Sequence, residues 1–171
     1  MVASLFRRPV AGLGLFLLTL GGVLTGCQKT DTPALDTTDY TQKDEDLITA
    51  YIKDNNLTGF KKDTLGLYIA VTQPGNGVKI NKRQSVSALY TGMLLDNRVF
   101  DSTGSRNNQP FTFTIGIGQV IAGWDLGFAR LSKGAKATLL VPSRLGYGPY
   151  AVGPIPPNSV LRFDVEVKDV Q

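Results

Sequence analysis

The chain has 171 residues, a net charge of +4 and no histidine, and Cys27 is its single cysteine. Without histidine, neither a Ser-His-Asp nor a Cys-His nucleophile system can be built, and a transition-metal site lacks its usual ligands, so we expect no metal and no cofactor. A single cysteine excludes an intrachain disulfide, and no run of basic residues is dense enough to indicate nucleic-acid binding.

Residues 1–26 have the pattern of a signal peptide. Arg7 and Arg8 precede an uncharged, apolar run over residues 10–24, which is shorter than a membrane-spanning helix requires. The run ends in the sequence LTGC at residues 24–27, which resembles the bacterial lipoprotein signal in which the cysteine is lipidated. An ordinary secreted protein with an unrelated cysteine is the alternative.

The lipoprotein resemblance implies a location. Cys27 becomes the first mature residue, carries the lipid and anchors the chain to a membrane of the bacterial cell envelope. Gln28 stands where the family has an aspartate in proteins retained at the inner membrane, so the resemblance implies the outer membrane, facing the periplasm.

Two short segments follow the cysteine. Residues 27–43 are rich in Thr and Asp with few large apolar side chains, which predicts a flexible tether. Leu47, Ile48, Tyr51 and Ile52 then form one apolar stripe with helical spacing. We expect a helix at about 44–55, within a helical segment at 44–59, that either docks on the following domain or acts as a spacer.

The pattern changes to that of strands from Leu65, and residues 60–171 are predicted to form one domain. Alternation is clearest in the last strand, where Leu161, Phe163, Val165 and Val167 point inward. A hairpin is expected through Asp96-Asn97. Strands are predicted at 66–73, 84–95, 98–102, 110–115, 135–141 and 160–170.

One helix interrupts the strands. Helical spacing relates five apolar residues: Val120, Ile121, Trp124, Phe128 and Leu131. Gly123 and Gly127 lower helix propensity, which indicates that the helix needs small residues for close packing. The prediction is an α+β fold in which a twisted antiparallel sheet wraps around one short helix.

The segment at 142–159 holds five prolines and three glycines, and its only charge is Arg144. It also carries Leu145, Tyr147, Tyr150, Val152 and Ile155, which is too apolar for a solvated linker. Long connections without secondary structure are usually functional or disordered, so we interpret this one as a wall of a binding site. From the residues alone, the aromatic and aliphatic excess fits either an apolar pocket or a core.

Three stretches carry a specific resemblance: YTGMLLDNRVFDS at 90–102, PFTFTIGIGQVIAGWDLGFARLSKGAKATLLVPSRLGYG at 110–148 and GPIPPNSVLRFDVEV at 153–167. They resemble the FKBP-type peptidyl-prolyl cis-trans isomerases, the macrolide-binding immunophilins, in the family's order and nearly its spacing. The match runs from about Gly66 onward. The resemblance implies an apolar cavity between sheet and helix that accepts a proline ring.

The resemblance assigns the apolar part of this pocket. Trp124 matches the floor, on the helix, with Val120 and Ile121 beside it. Four aromatic residues match the walls: Tyr90, Phe100, Phe111 and Phe163.

It also assigns polar roles. Asp101 matches the acidic residue that faces the substrate carbonyl or a buried polar partner, and Arg106 is expected to pair with it. The Tyr147 hydroxyl is expected to donate to a bound carbonyl, and Ile155 to supply a backbone N–H and an aliphatic side chain. The chain departs from the family in a longer segment before Pro110, a shorter loop after Tyr147, and Pro154 in place of an aliphatic residue.

The resemblance implies isomerisation of X-Pro bonds in exported polypeptides, with macrolide inhibitors as further ligands. An apolar cavity favours the twisted amide over the planar, strongly solvated one, so no nucleophile is needed. The alternative is a non-catalytic chaperone or peptide-binding lipoprotein that uses the same pocket.

Overall fold

The computed structural model describes residues 38–77 and 79–171, which belong to one compact unit. The predicted signal peptide, the LTGC motif and most of the predicted tether lie outside the described residues. No helix within the described part of the chain is long and apolar enough to cross a membrane.

The first helix, α1, spans Thr41–Asp54 and therefore begins three residues before the predicted start. The Asp39 carboxylate accepts a hydrogen bond from the Thr41 N–H at 2.9 Å, which supplies an acceptor just before the first turn. Ile48 and Tyr51 are buried, so α1 docks on the domain.

The strands agree with the period-two pattern to within two residues at each end. Only β1, a pair of exposed lysines, was not predicted, because two residues carry no alternation. The strands are β1 Lys61–Lys62, β2 Tyr68–Gln73, β3 Ser85–Leu94, β4 Val99–Ser102, β5 Phe111–Thr114, β6 Lys136–Val141 and β7 Leu161–Val170.

All pairings within the sheet are antiparallel, in the order β1-β2-β6-β7-β3-β4, and β5 also pairs with β3. The long strand β3 pairs with β7 along one edge and successively with β5 and β4 along the other. The predicted hairpin forms at Asp96-Asn97, where Asn97 has a φ of 66° and Leu94 bonds to Arg98. Both β4 and β5 therefore lie beside β3.

The second helix, α2, spans only Ala122–Phe128, which corrects the predicted helical run from Val120 to Leu131. Ile121 is the N-cap with extended ψ, 149°, so it and Val120 precede the helix. Val120 and Ile121 therefore share the helical spacing of the apolar residues, but they lie in the segment before the helix and not in a helical turn.

The two helices cover opposite faces of the sheet, because successive strand residues point to opposite sides. On β6, Leu139 and Val141 belong to the cluster around α2, while Leu140 belongs to the cluster around α1. A Cβ added at Gly123 would lie 2.4 Å from a Val141 methyl, so α2 reaches the sheet only because position 123 lacks a side chain.

Candidate active site

A cavity of about 700 Å³ opens between α2, the concave face of the sheet and the Pro-rich loop at 142–159. All eleven residues predicted for the pocket line it, and no side chain of the described residues fills it. The lining consists of Tyr90, Phe100, Asp101, Arg106, Phe111, Gln119, Val120, Ile121, Trp124, Tyr147, Val152, Gly153, Pro154, Ile155 and Phe163.

The floor is a packed group of aromatic rings centred on Trp124, which is 4% exposed. Its ring centroid lies 4.9 Å from that of Tyr90 and 5.3 Å from that of Phe163, both in edge-to-face geometry. Phe113 and Phe128 support it from below, at 5.3 and 5.0 Å. Edge-to-face contacts of this kind are attractive, so the floor is rigid.

One wall depends on a glycine that the sequence analysis did not identify. Phe100 and Phe163 meet edge to face at 5.6 Å, across strand β3. A Cβ on Gly92 would lie 2.6 Å from the Phe100 ring and 2.9 Å from the Phe163 ring. Position 92 must therefore remain without a side chain for these two rings to form the wall.

The polar edge of the cavity is a three-residue cluster. The Tyr90 hydroxyl donates to Asp101 Oδ2, and Arg106 donates to Asp101 Oδ1 at 2.7 Å and to the Tyr90 oxygen at 2.8 Å. The expected pairing of Arg106 with Asp101 is therefore present. Ser102 positions Arg106 by capping the 3₁₀ turn Thr103–Arg106, because its side chain accepts the Gly104 N–H.

This cluster holds Asp101 in its charged form. Burial acts to raise the pKa of Asp101, but the hydrogen bonds from Tyr90 and Arg106 outweigh it and leave the pKa below its usual value. Burial, and then the hydrogen bond to Asp101, raises the pKa of Tyr90. At neutral pH the site thus contains a carboxylate, a guanidinium and a neutral phenol.

The Pro-rich loop supplies the opposite wall. Burial raises the pKa of Tyr147, with a smaller contribution from the Asp101 charge, so its hydroxyl is protonated at neutral pH. That hydroxyl makes no hydrogen bond to any other described residue. Its proton is therefore available to a guest in the cavity.

The expectation that Ile155 offers its backbone N–H is wrong. Val152 and Ile155 bond to each other in both directions at 3.0 Å, which closes a tight turn and occupies that N–H. The N–H of Ile121 has no acceptor among the described residues, because Ile121 precedes the first turn of α2. The available backbone donor in this lining is therefore on Ile121, which sequence analysis assigned only as an apolar neighbour.

Sequence reasoning missed Gln119, Val152 and Gly153 as lining residues and treated Pro154 only as a departure from the family pattern. Gln119 adjoins Val120 in the chain, and its side-chain oxygen accepts the Thr114 N–H at 2.7 Å, which ties this segment to β5. Val152 was noted as an apolar residue of the loop, so its position there was the available signal.

The residues present favour recognition by shape and desolvation. The described residues contain no group of three or more Asp, Glu, Cys or His side chains that could hold a metal ion. Apart from the cluster at Asp101, the lining is dominated by rings and aliphatic groups. Such a cavity can accept a compact apolar ring and offer hydrogen-bond donors to the carbonyls beside it.

A family model described as "FKBP-type peptidyl-prolyl cis-trans isomerase" matches residues 77–168. An FK506-binding protein of Neisseria meningitidis serogroup B is 44% identical over 106 residues, covering 61% of this chain and 96% of that protein. The peptidyl-prolyl cis-trans isomerase Fkbp12 of Drosophila melanogaster is 46% identical over 109 residues, covering 63% of this chain and 100% of that protein.

Two solved structures are also similar. FkpA from Escherichia coli superposes with a TM-score of 0.66 at 34% identity; the match covers 77% of this chain and 62% of the FkpA chain. AtFKBP13 superposes with a TM-score of 0.63 at 36% identity, covering 67% of this chain and 100% of that chain. The α+β fold expected from the sequence is confirmed. With an antiparallel sheet curled around α2, an open cavity floored by Trp124 and these similarities, the chain belongs to the FKBP-type peptidyl-prolyl cis-trans isomerases and has that activity.

Proposed function

We propose that this chain isomerises X-Pro bonds of exported polypeptides in the cavity above Trp124, and that it does so by stabilising the twisted amide. The observation that carries this proposal is an open, ring-lined cavity of about 700 Å³ with a single charged cluster at its edge. A proline ring fits such a cavity because it is compact, apolar and without an N–H.

The mechanism needs no bond to form between enzyme and substrate. The amide resists rotation with a barrier of about 18–20 kcal/mol, because twisting removes its resonance. The planar amide is the more polar form and loses more hydration when it enters an apolar cavity. Preferential binding of the twisted form by about 5 kcal/mol accelerates exchange several thousandfold.

Polar groups around the cavity orient the substrate. The free hydroxyl of Tyr147 and the free N–H of Ile121 are donors for the carbonyls on either side of the proline. The charged Asp101 carboxylate lies at the edge of the cavity, where it faces the substrate carbonyl carbon as the amide twists. Phe100 and Phe163 close the wall beside the ring.

A protease-coupled assay with X-Pro peptides tests the mechanism, using the full chain in detergent. We expect rates well above the uncatalysed exchange, and a loss of at least about tenfold in kcat/KM for Asp101→Ala, since one well-placed electrostatic contact is worth this much or more. Asp46→Ala is the control, because Asp46 is exposed on α1 and its carboxylate bonds, among the described residues, only to Gln42. An Asp101→Ala rate equal to the control contradicts the assigned role.

A chaperone function beside the isomerase activity is the second candidate. It is favoured by the exposure of large apolar residues in and near the cavity wall: Tyr150 is 59% exposed, Val152 40% and Phe111 39%. Suppression of aggregation of a proline-free client by both the wild type and Tyr147→Phe supports this function in addition to the isomerase. Absence of suppression of this client by the wild type contradicts a chaperone function toward proline-free segments.

We also propose that the protein acts at the periplasmic side of the outer membrane, held by lipid on Cys27, as the LTGC motif and Gln28 indicate. The predicted tether between Cys27 and the start of α1 at Thr41 then lets the domain reach clients near the membrane. Cys27→Ala is expected to move the protein from the membrane fraction to the soluble fraction. Recovery of this variant in the membrane fraction contradicts lipid anchoring.

Macrolide binding in the same cavity is a further part of the proposal. A macrolide of the FK506 class should inhibit the isomerase competitively, because it occupies the space of the proline ring. Pro154 lines the cavity where the family has an aliphatic side chain, so the Pro154→Ile variant should bind the macrolide with a different affinity from the wild type. Inhibition that is not competitive with the peptide contradicts this assignment.

A further inference from the structure

Apart from the tyrosines and Trp124, the described residues bury three polar side chains, those of Asp44, Thr103 and Ser143. Thr103 bonds through its hydroxyl to the backbone N–H and C=O of Tyr90, directly behind a pocket residue. Asp44 and Ser143 bond to each other, although they are 99 residues apart in the chain. Burying a carboxylate is costly unless it is well paired, so this contact calls for a specific role.

The Asp44 carboxylate fixes the start of the Pro-rich loop. Its Oδ2 accepts the Ser143 backbone N–H at 2.8 Å and the Ser143 hydroxyl at 2.7 Å, and Asp44 is 1% exposed. The other oxygen, Oδ1, is buried without a hydrogen-bond partner, so every hydrogen bond of this side chain goes to Ser143. Ser143 is therefore held on two of its own atoms by a residue of α1.

Ser143 in turn fixes Tyr147. Its carbonyl accepts the N–H groups of Gly146 and Gly148, both at 2.9 Å, and these are the two neighbours of Tyr147 in the chain. The backbone on both sides of Tyr147 is thus bonded to one atom of the residue that Asp44 holds. Both neighbours are glycines, which restrict the backbone little without such bonds.

We propose that Asp44, on a helix that precedes the family-matched region at 77–168, is a positioning residue that aims the Tyr147 hydroxyl into the cavity. Helix α1 then contributes to the isomerase activity and is more than a spacer between tether and domain. The inference rests on the proposed role of the Tyr147 hydroxyl toward the substrate carbonyl. A displacement of a substrate-contacting group by about 1 Å can reduce rates by up to a hundredfold.

A double-mutant cycle tests the proposal with the full chain in detergent and an X-Pro peptide assay. Four forms are compared: wild type, Asp44→Ala, Tyr147→Phe and the double variant. If Asp44 acts through the Tyr147 hydroxyl, Asp44→Ala lowers kcat/KM by about tenfold in the wild type and by less than about threefold in the Tyr147→Phe background. A purely structural role predicts the same loss in both backgrounds.

Two further variants keep the test decisive. Asp46→Ala changes an exposed carboxylate two residues away on α1 and is expected to retain wild-type kcat/KM. Where Asp44→Ala does not fold, Ser143→Ala replaces it in the same cycle. Ser143→Ala removes the hydroxyl bond to Asp44 and leaves the backbone N–H bond in place. The expected loss of kcat/KM is then about threefold, again confined to the background that has the Tyr147 hydroxyl.

The outcomes separate this inference from the proposed function. Equal rates for wild type and Tyr147→Phe contradict the role of the hydroxyl itself and, with it, this inference. A slower Tyr147→Phe together with a wild-type rate for Asp44→Ala, or with an equal loss in both backgrounds, contradicts the inference alone. A loss that largely disappears in the Tyr147→Phe background supports it.

Discussion

Two tyrosine–carboxylate pairs of this protein have similar bonding but different surroundings. On the side of α1, the Tyr68 hydroxyl donates to Glu45, which also pairs with Lys62 at 2.7 Å. This pair adjoins the apolar cluster on which α1 packs, and Tyr68 is itself part of that cluster; the unfilled space beside Glu45 and Lys62 is only about 120 Å³.

At the cavity, the Tyr90 hydroxyl donates to Asp101, which also pairs with Arg106 at 2.7 Å. Here the neighbouring space on the concave face of the sheet is a cavity of about 700 Å³. Contact between a phenol, a carboxylate and a basic side chain is therefore not sufficient to identify a binding site. What distinguishes the pocket is the much larger unfilled volume beside the tyrosine, the carboxylate and the basic side chain.

The largest effect is expected at a residue that belongs to both the core and the cavity. Phe163 is 3% exposed and packs on Trp124 and Phe100. Phe163→Ala should lower stability by about 4 kcal/mol, as truncation of a buried phenylalanine usually does, and should remove most isomerase activity. Urea unfolding and the peptide assay measure the two effects; a destabilised variant with a wild-type rate would show that this wall is dispensable.

On the side of α1, Ile48→Ala should lower stability by about 3 kcal/mol, because Ile48 is fully buried between α1 and the sheet. Leu47→Ala is the matched control on the same helix, since Leu47 is 43% exposed and should change stability by less than about 0.5 kcal/mol. Equal urea midpoints for the two variants would mean that α1 does not stabilise the domain.

Smaller losses of stability are expected from alanine substitutions at the two glycines of α2, and the two losses should differ. Gly123→Ala places a Cβ 2.4 Å from the stiff side chain of Val141 and should cost about 2 kcal/mol. Gly127→Ala meets a Leu139 methyl at 2.9 Å, and leucine can change rotamer, so its cost should be lower. Thermal unfolding of both variants checks the order; the reverse order contradicts the packing described.

The smallest effect concerns the pair on the side of α1. Burial, and then the hydrogen bond to Glu45, raises the pKa of Tyr68 to about 12. Because this pKa is higher in the folded state, the stability it contributes is present below pH 10 and is lost as the pH rises toward 12. Tyr68→Phe should cost about 1 kcal/mol at pH 7 and weaken the loss of stability between pH 10 and 12.

Urea midpoints measured from pH 7 to 12 test this prediction, with Tyr90→Phe as the comparison. An alkaline profile of Tyr68→Phe identical to that of the wild type would contradict it. Tyr90→Phe is expected to affect the peptide assay more than the urea midpoint, since it removes the phenol from the charged cluster at the cavity.

The strands could be predicted because the alternation of apolar and polar residues is a local property of the sequence. Most pocket residues could be predicted because they lie within short motifs. Alternation along β7 assigns Phe163 to the inside without any knowledge of its partners. The start of α2 could not be predicted, because Val120 and Ile121 have helical spacing but lie before the helix begins at Ala122. Gly92 was missed for a similar reason, as its neighbours Phe100 and Phe163 come from two other strands.

By itself, the amino-acid sequence determined the antiparallel pattern, the family and most of the side chains around the cavity, since these depend on residue types and their spacing. Only the tertiary structure decided which backbone donor is free, Ile121 instead of Ile155, and that Asp44 is buried against Ser143. Hydrogen bonds and burial between distant segments depend on where the whole chain packs, and packing compares many segments at once. The same holds for the cavity, because an unfilled volume is a property of the assembled fold and of no single stretch of sequence.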